Sequence, residues 1–322
     1  MEFIKLPNEE IERLALEENF DLIGFAKVEE LKEEYERYIA WLERGYAAKM
    51  KYMEKNLDLR KNLSLLLENC KSIITFGANY FNSRIKYSND ENYGKVSRYA
   101  VGIDYHLILW NKCKKICKKI KSKYPAFEYK YYVDTGPILE KVWGQKSGIG
   151  WIGKNTLLIN PKLGSWFFIA IILTNAEFDY STPMADRCGR CSRCVDACPT
   201  QALTKDRYLD SNKCISYYTI EYKDESFPEN MNLNFQSWIF GCDICQEVCP
   251  FNLKFQRDGQ MSDFFAENLN IQLDLNDIIN DWNENFFKER FLKSPIKRSK
   301  LNGMKRNANY LIRQNKLLNK NE

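Results

Sequence analysis

The chain has 322 residues, with 48 Lys or Arg, 43 Asp or Glu, 11 cysteines and one histidine, and its formal net charge is +5. This length predicts about two domains with hydrophobic cores of their own, and the single histidine excludes His-rich metal sites. The longest apolar run, residues 166–173, is too short for a membrane span and the N-terminus has no secretion-signal pattern, so we expect a cytoplasmic protein without membrane contact.

The first 180 residues alternate helix-like and strand-like stretches, which favours an α+β fold. Helices are predicted at 9–18 behind an N-cap at Asn8, at 29–43 and at 105–123, and strands at 21–28, 72–81 and 127–133. The stretches 156–159 and 166–174 flank turn-forming residues and predict a β-hairpin.

Asp134 is the first candidate for chemistry in this part of the chain. It ends an aromatic strand just ahead of a helix whose first residue we predict to be Pro137. Apolar neighbours would raise the pKa of its carboxyl into the range of a general acid, while an aspartate that only caps the helix is the alternative.

A glycine-rich segment follows. Residues 148–153 match the letters of the dinucleotide motif Gly-x-Gly-x-x-Gly, but a strand rather than a helix comes next, so this match is weak. The glycines allow close backbone approach to a flat or bulky group, and Lys154, Asn155 and Thr156 offer polar contacts. A plain turn before a strand is the alternative.

The cysteines give the most specific pattern. Eight of them form a C-x2-C-x2-C-x3-C-P run, a later C-x2-C-x3-C-P run and one upstream cysteine, which is typical of proteins with two 4Fe–4S clusters. Because the fourth cysteine of such a run serves the other cluster, we assign Cys188, Cys191, Cys194 and Cys249 to the first cluster and Cys198, Cys214, Cys242 and Cys245 to the second. A pair of zinc sites is the alternative, and Cys70, Cys113 and Cys117 are predicted to lie in the core.

The C-terminal segment is strongly basic. Residues 288–320 contain eleven Lys or Arg and one acidic residue, Glu289, so this stretch carries +10. Such a charge favours contacts with phosphates, and a solvated helix face is the alternative. The candidate contacts are Lys297, Arg298, Lys300, Lys305 and Arg306.

Eight short motifs, each present once, follow one another along the chain. They are Ser-Arg-Tyr-Ala at 97–100, Gly-Ile-Asp-Tyr-His at 102–106, Val-Asp-Thr-Gly-Pro at 133–137, Gly-Trp-Ile-Gly-Lys-Asn-Thr at 150–156, Ala-Cys-Pro-Thr-Gln-Ala-Leu at 197–203, Cys-Ile-Ser-Tyr-Tyr-Thr-Ile-Glu at 214–221, Gly-Cys-Asp-Ile-Cys-Gln-Glu-Val-Cys-Pro at 241–250 and Ser-Pro-Ile-Lys-Arg at 294–298. By this ordered set the sequence resembles the epoxyqueuosine reductases over nearly its whole length. The cysteine motif alone is shared with other ferredoxin-like modules, including the reductive dehalogenases.

The resemblance implies a fold and a set of site residues. It implies a nitroreductase-like cobalamin-binding α/β domain at 1–180, a ferredoxin-like domain with two 4Fe–4S clusters at 181–258, and a short basic helical segment at 259–322 that corresponds to the start of HEAT-like repeats. Asp134 is then the proton donor, and cobalamin is held by Arg98, Asp134, Lys154, Asn155, Thr156, Ser216, Gly241 and Cys242.

His106 is the only histidine, and it does not fit a cobalt ligand. The Asp-x-His-x-x-Gly motif of methionine synthase is absent, and apolar residues follow His106. We interpret His106 as a structural residue or as one that supports a neighbouring site residue.

The resemblance also implies an activity. It is the reduction of epoxyqueuosine to queuosine at position 34 of tRNAs with a GUN anticodon, by a monomer that takes electrons from a flavodoxin- or ferredoxin-like donor. A cobalamin-dependent reductive dehalogenase is the alternative enzyme, although those proteins usually carry an export signal that is missing here. A non-catalytic electron carrier is the alternative outside enzymes, and it leaves the first 180 residues without a role.

Overall fold

The computed structural model describes residues 4–265 and 269–318 of the chain. The α-helices are α1 (Asn8–Glu17), α2 (Glu33–Glu43), α3 (Leu57–Lys61), α4 (Tyr105–Lys123), α5 (Glu140–Lys146), α6 (Arg193–Asp196), α7 (Ile244–Glu247), α8 (Pro250–Phe255), α9 (Leu275–Asn280), α10 (Glu284–Arg290) and α11 (Lys300–Leu318). The strands are β1 (Leu22–Lys27), β2 (Ser72–Asn79), β3 (Tyr93–Val96), β4 (Tyr129–Tyr132), β5 (Trp151–Ile152), β6 (Leu158–Ile159), β7 (Phe167–Thr174), β8 (Trp238–Phe240) and β9 (Gln272–Asp274). A mixed helix and strand fold is therefore confirmed.

A four-stranded antiparallel sheet in the order β1–β2–β7–β4 forms the centre of the first half. Every residue of β2 is buried, so both of its faces are covered. Successive side chains of a strand point to opposite faces, and Ile74 and Phe76 pack with α1 and α4 while Ile73 packs with Trp143 of α5. The sheet thus lies between two layers of helices.

A second sheet joins distant parts of the chain. Strand β3 pairs in parallel with β8 and antiparallel with β9, in the order β8–β3–β9. A second core below it combines Val96 and Val101 with Phe240 and with Leu301 and Met304 of α11. The division into 1–180, 181–258 and 259–322 stays a prediction about domains, but the packing crosses both of its boundaries.

Several predicted elements are confirmed and others are wrong. Helix α4 has its predicted bounds, and Cys70, Cys113 and Cys117 are buried as predicted. The hairpin is wrong: a tight turn does link Asn160 with Gly164, but β6 pairs with β5, and β7 pairs with β2 and β4. Asn8 is the first residue of α1 rather than its cap, because its side chain bonds the backbone of Asp179.

The C-terminal segment is packed rather than extended. Leu301, Met304, Ala308 and Leu311 of α11 recur every three or four residues and are buried in the second core. Lys320 and the other residues after 318 lie outside the described residues. Among the helices of the described chain, none is long and apolar enough to cross a lipid bilayer.

Candidate active site and cysteine clusters

Asp134 lies on a turn with an unusual backbone conformation. Its φ of 56° is in the left-handed region, which a non-glycine residue adopts at a cost in free energy. The turn is held because the Asp134 N–H donates to Oε1 of Glu140 at 2.7 Å and the Thr135 N–H to the carbonyl of Val133 at 2.7 Å. The burial of the Glu140 carboxyl and the charge of Asp134 raise the pKa of Glu140.

The environment of Asp134 differs from the predicted one. Its side chain is 66 % exposed, so the expected apolar surroundings are wrong. The helix-cap alternative is also wrong, since α5 begins only at Glu140 and Pro137 precedes it by three residues. The carboxylate instead accepts a hydrogen bond from the Tyr105 hydroxyl at 2.9 Å, and Nε2 of His106 lies 3.8 Å from the same oxygen.

His106 connects Asp134 to the ion pair of the buried Asp104 with the exposed Lys297. Its Nδ1 lies 2.7 Å from Oδ1 of Asp104, and Oδ2 of Asp104 lies 2.8 Å from Nζ of Lys297. Burial alone would lower the pKa of His106, but the bonds to Asp104 and Asp134 outweigh it and raise the pKa to about 9. His106 and Lys297 hold the pKa of Asp104 at about 2 although its burial acts in the opposite direction. Nδ1 of the single histidine is therefore hydrogen-bonded to one carboxylate, and Nε2 faces a second carboxylate at a longer distance.

Residues from the second core complete this neighbourhood. The ring of Tyr99 packs on Tyr105 and on Phe240, at the end of β8. Burial and the negative charges of Asp134, Glu221 and Asp243 raise the pKa of Tyr99. Arg298 pairs with Glu221 at 3.1 Å from the other side. We call the set Tyr99, Tyr105, His106, Asp134, Glu221 and Arg298 the Asp134 site.

Arg98 and Asp243 link the Asp134 site to the second cysteine run. The Arg98 N–H donates to Oδ2 of Asp243 at 2.7 Å, and Ser97 donates to Oδ1. Asp243 is buried, and its burial raises its pKa to about 6 against these hydrogen bonds. Nη1 of Arg98 donates to the carbonyls of Asn82 and Ile85, whereas its Nε has no partner within the described chain.

Gly241 and Ser216 lie beside the second run of cysteines. Gly241 has a φ of 72°, and a Cβ there would lie 2.5 Å from Cβ of Ser97, so no larger residue fits. Its N–H donates to Oγ1 of Thr219 at 3.0 Å. Ser216 is placed two residues after Cys214, and its proximity acts to lower the pKa of that thiol against the larger effect of burial.

The glycine-rich segment contacts the first cysteine run. Nζ of Lys154 donates to the carbonyls of Gly189 and Cys191, at 2.8 Å each. This amine therefore supports the cysteine loop, and its predicted contact with cobalamin stays a prediction. Asn155 is buried, its Oδ1 accepts from the N–H of Leu157 at 3.2 Å, and its Nδ2 has no partner within the described chain. Thr156 follows with a φ of 63°.

The structure brings the cysteines of the first predicted set together. Burial and the neighbouring Cys188, Cys249 and Cys191 raise the pKa of Cys194 to about 11. Cys249 interacts in turn with Cys188 and Cys191, although about 60 residues separate them in sequence. Trp151 packs in the same apolar cluster as Cys188 and Cys249, and its Nε1 donates to Sγ of Cys188 at 3.5 Å.

The second predicted set also converges. Cys214 interacts with Cys198, and Cys242 with Cys245 and Cys214. Burial is the largest cause that raises the pKa of Cys245, followed by Cys214 and then Cys194 of the first set. The two groups of thiols therefore adjoin one another. No three His, Cys, Asp or Glu side chains of the described residues are close enough to hold one single metal ion.

The basic residues predicted to contact phosphates separate into two kinds. Lys297, Arg298 and Lys300 are exposed, and Lys305 is half-buried. Arg306 is buried, and its guanidinium donates to the carbonyls of Tyr218, Tyr222 and Asp224 at 2.9 Å each. Burial lowers its pKa to about 10. The prediction of Arg306 as a phosphate contact is therefore wrong, because its buried guanidinium group is bonded to backbone carbonyls inside the protein.

Two family models match two separate parts of the chain. A family model described as a 4Fe-4S double cluster binding domain matches residues 187–252, which contain all eight clustered cysteines. A second model, described as epoxyqueuosine reductase with a domain named DUF1730, matches residues 60–135 and ends just after Asp134. The first match favours iron–sulfur clusters over zinc, and it defines the chain as a protein with two 4Fe–4S clusters.

Relatives identify the family more narrowly. An epoxyqueuosine reductase of Atelocyanobacterium thalassa is 41 % identical over 83 % of this chain and 86 % of its own length. One of Leadbetterella byssophila is 38 % identical over 94 % of this chain and 98 % of its own. A crystal structure of an epoxyqueuosine reductase with an epoxyqueuosine-modified tRNA-Tyr stem loop is 28 % identical, with a TM-score of 0.85, over 94 % of this chain and 79 % of that one. The chain belongs to the epoxyqueuosine reductase family.

Proposed function

We propose that this protein reduces epoxyqueuosine to queuosine at position 34 of tRNA. One observation carries the proposal beyond family membership. The exposed carboxylate of Asp134 lies in one electrostatic neighbourhood with Glu221, Arg298 and Asp243, which belong to the cysteine-bearing half of the chain. A group able to move a proton and a set of thiols able to hold electron-transfer clusters therefore meet at the Asp134 site.

The donor set fits the iron–sulfur groups. Eight thiols lie in two adjoining groups of four, and each group contains one cysteine from the other run, as two-cluster ferredoxins require. We assign the first cluster to Cys188, Cys191, Cys194 and Cys249, and the second to Cys198, Cys214, Cys242 and Cys245. The second cluster is the inner one, because Asp243 of its own loop bonds Arg98 and Ser97 next to Tyr99.

Residues next to the two cysteine runs also fit a corrinoid. Cobalamin carries peripheral amides, and Nδ2 of Asn155 and Nε of Arg98 are donors without a partner within the described residues. Arg98, Asn155, Thr156, Ser216 and the Gly241–Cys242 turn would hold it in a nitroreductase-like first domain. When bound, cobalamin supplies the low-valent cobalt that reduces the epoxide. His106 is not a ligand in this proposal, because Nδ1 is bonded to Asp104 and Nε2 faces Asp134.

Asp134 delivers the proton that the departing epoxide oxygen needs. With a pKa of about 9, His106 holds a proton at neutral pH, and its Nε2 faces Oδ2 of Asp134. Tyr105 donates to the same oxygen and fixes the direction of the carboxylate. The proton of His106 thus reaches the substrate through Oδ2 of Asp134. The overall change takes two electrons and two protons and yields queuosine and water.

The basic C-terminal surface suits the tRNA backbone. Lys297, Arg298 and Lys300 are exposed and lie on the side of the Asp134 site, where Lys297 pairs with Asp104 and Arg298 with Glu221. Such residues hold phosphates and fix the orientation of the nucleic acid. The substrates we expect are tRNAs with a GUN anticodon, bound by a cytoplasmic monomer.

A deletion strain tests the proposed function directly. Bulk tRNA from this strain is expected to lose queuosine and to accumulate epoxyqueuosine, and a plasmid with the wild-type gene is expected to restore queuosine. An Asp281→Asn variant, which changes an exposed aspartate of the C-terminal half, serves as the complementing control. Unchanged queuosine with no epoxyqueuosine in the deletion strain would exclude the function.

A further inference from the structure

Three arginines alternate with the first three cysteines of the first run, at the same spacing of three residues. Arg187, Arg190 and Arg193 each stand immediately before a cysteine of the first set. All three side chains are exposed, and none of them has a hydrogen bond or ion pair with another residue of the described chain. Arginines that support a fold normally bond carboxylates or carbonyls, as Arg306 does here. These three are therefore free to bind another molecule.

The acidic residues of the same loop are already used. Asp186 pairs with Arg207 at 2.6 Å, and Asp196 accepts a hydrogen bond from Ser192 at 2.5 Å. The amine of Lys154 adds a further positive charge beneath the loop, where it bonds the carbonyls of Gly189 and Cys191. The surface over the first set of cysteines is consequently positive. We call Arg187, Arg190 and Arg193 the arginine collar.

The second cysteine run has the opposite character. Between Cys242 and Cys249 the chain contains Asp243 and Glu247 and no basic residue. This run faces inward, since Asp243 is buried against Ser97 and Arg98. The collar is thus confined to the first set of cysteines. This set is the outer one, because the second set adjoins the Asp134 site through Asp243 and Arg98.

We propose that the arginine collar is the docking surface for an acidic one-electron carrier protein. The proposal rests on the proposed function in one respect only, that the first set of cysteines holds a 4Fe–4S cluster. In the transfer, the carrier's reduced centre gives up one electron and is oxidised. The outer cluster accepts this electron and is reduced. No covalent bond forms or breaks, and two such encounters supply the two electrons of one turnover.

The position of the collar at the outer cluster, together with its charge, favours this partner over tRNA. A protein that delivers electrons must approach the outer cluster, and an acidic face is drawn to three unpaired guanidinium groups around it. Lys297 and Arg298, which pair with Asp104 and Glu221 next to the Asp134 site, are the basic residues proposed for contacts near the substrate nucleotide. RNA binding by the collar is the competing outcome of the test.

The test compares two triple variants of the reconstituted holoenzyme. Arg187→Glu/Arg190→Glu/Arg193→Glu removes the collar, and Lys114→Glu/Lys118→Glu/Lys121→Glu makes the same change of charge on the exposed face of α4. The probe is a purified 2Fe–2S ferredoxin of acidic net charge. Stopped-flow bleaching of the clusters gives the second-order rate of their reduction by reduced ferredoxin, and titration calorimetry gives the affinity for oxidised ferredoxin.

We expect the collar variant to lose at least tenfold in both rate and affinity at low ionic strength. The difference from wild type should shrink at high salt, because screening reduces the attraction at distances beyond about 10 Å at 0.1 M salt. Reduction by dithionite should be unchanged, and the α4 control should behave like wild type. If loading with iron is impaired, the three arginines are changed to Gln and the affinity measurement is repeated.

Three results would overturn the proposal. They are unchanged rate and affinity in the collar variant, an equal loss in the α4 control, and unchanged ferredoxin binding with weakened binding of a tRNA anticodon stem loop. The last result would assign the collar to RNA. Because neither measurement uses epoxyqueuosine, a failure here is distinguishable from a failure of the proposed function, which the deletion strain reports.

Discussion

Asp134 combines a strained backbone with an exposed, polar-bonded carboxylate. Strain of this kind persists only where neighbouring contacts hold it, and here the Glu140 carboxylate and the Tyr105 hydroxyl do so. The motif around Asp134 pointed to this residue, but the reason offered from sequence, apolar surroundings, was wrong. His106, the partner we propose for proton transfer, is 28 positions away, and the packing of α4 against β4 brings it near.

Replacing Asp134 with Asn should slow turnover without unfolding the site. Asn tolerates a positive φ and keeps the shape of the side chain, but it cannot pass a proton. We expect turnover to fall by roughly 10²–10⁴, the usual range for loss of a general acid. Single-turnover formation of queuosine in a modified stem loop measures this, with cluster absorbance as the control for folding. A rate close to wild type would remove Asp134 from the mechanism.

The titration of His106 offers a second measurement at this scale. Since His106 is the only histidine, its ring signals in an NMR spectrum of tag-free protein need no assignment. We expect a midpoint near its pKa of about 9, because Asp104 and Asp134 stabilise the charged ring against the effect of burial. Asp104→Asn should move the midpoint down by at least one unit.

The sign of the associated stability follows from the raised pKa. A cation favoured by the fold stabilises it fully below the unfolded pKa of about 6.5, and this contribution disappears as the pH rises through about 9. Asp104 acts at the other end, with a contribution present above its unfolded pKa and lost towards pH 2. A midpoint that is the same in wild type and Asp104→Asn would contradict the arrangement of Asp104, His106 and Asp134.

Among the elements, those with a clear local signal were predicted best. Helix α4 has an Asp104 side chain that accepts from the His106 N–H and an apolar stripe that includes Cys113 and Cys117, so its bounds follow from neighbours in sequence. The strand pairings of β7 and β3 depend on partners far along the chain, and sequence-local patterns do not contain them. The cysteine grouping was predictable because cluster ligation imposes fixed spacing.

The turn after β8 tests how tightly one element is packed. Gly241→Ala should cost about 1–2 kcal/mol for its backbone conformation and about 1–3 kcal/mol more for contact with Ser97. Gly45→Ala is a matched control, since Gly45 has a φ of 69° and open space where a Cβ would stand. We expect both variants to have a lower melting temperature because of the backbone term, with the larger loss and less bound iron in the Gly241 variant, where the contact with Ser97 is added. Equal behaviour of the two variants would show that the close approach to Ser97 is unimportant.

At the scale of the whole molecule, some basic residues of the C-terminal segment are buried and stabilise the fold, while others are exposed to solvent. The sequence predicted the basic segment but not which of its members face solvent, because burial of Arg306 is decided by carbonyls of Tyr218, Tyr222 and Asp224 about 85 positions earlier. Lys300 is exposed in the same segment.

These two residues should therefore respond differently to removal of their charge. Lys300→Gln should weaken tRNA binding and reduce its salt dependence by about one phosphate contact, with the melting temperature unchanged. Arg306→Gln should lower the melting temperature, since three carbonyls lose a charged donor, and should affect binding only through folding. Filter binding of a stem loop at several salt concentrations, together with thermal unfolding, distinguishes them. Loss of affinity at normal stability in Arg306→Gln would reverse this assignment.

The pairing of β3 with β8 and β9 has a consequence for biosynthesis. Val96 and Phe240 are separated by roughly 140 residues, so at about 5–20 residues per second the ribosome needs on the order of 10–30 seconds to supply the partner strand. Until then β3 of the nascent chain has no β8 to pair with, and the second core is incomplete. The last cysteines emerge directly after β8, and each proposed cluster takes at least one of them, so neither cluster can be completed before β8 has been synthesised. Completion of the proposed clusters is thereby placed after synthesis of the four-stranded sheet.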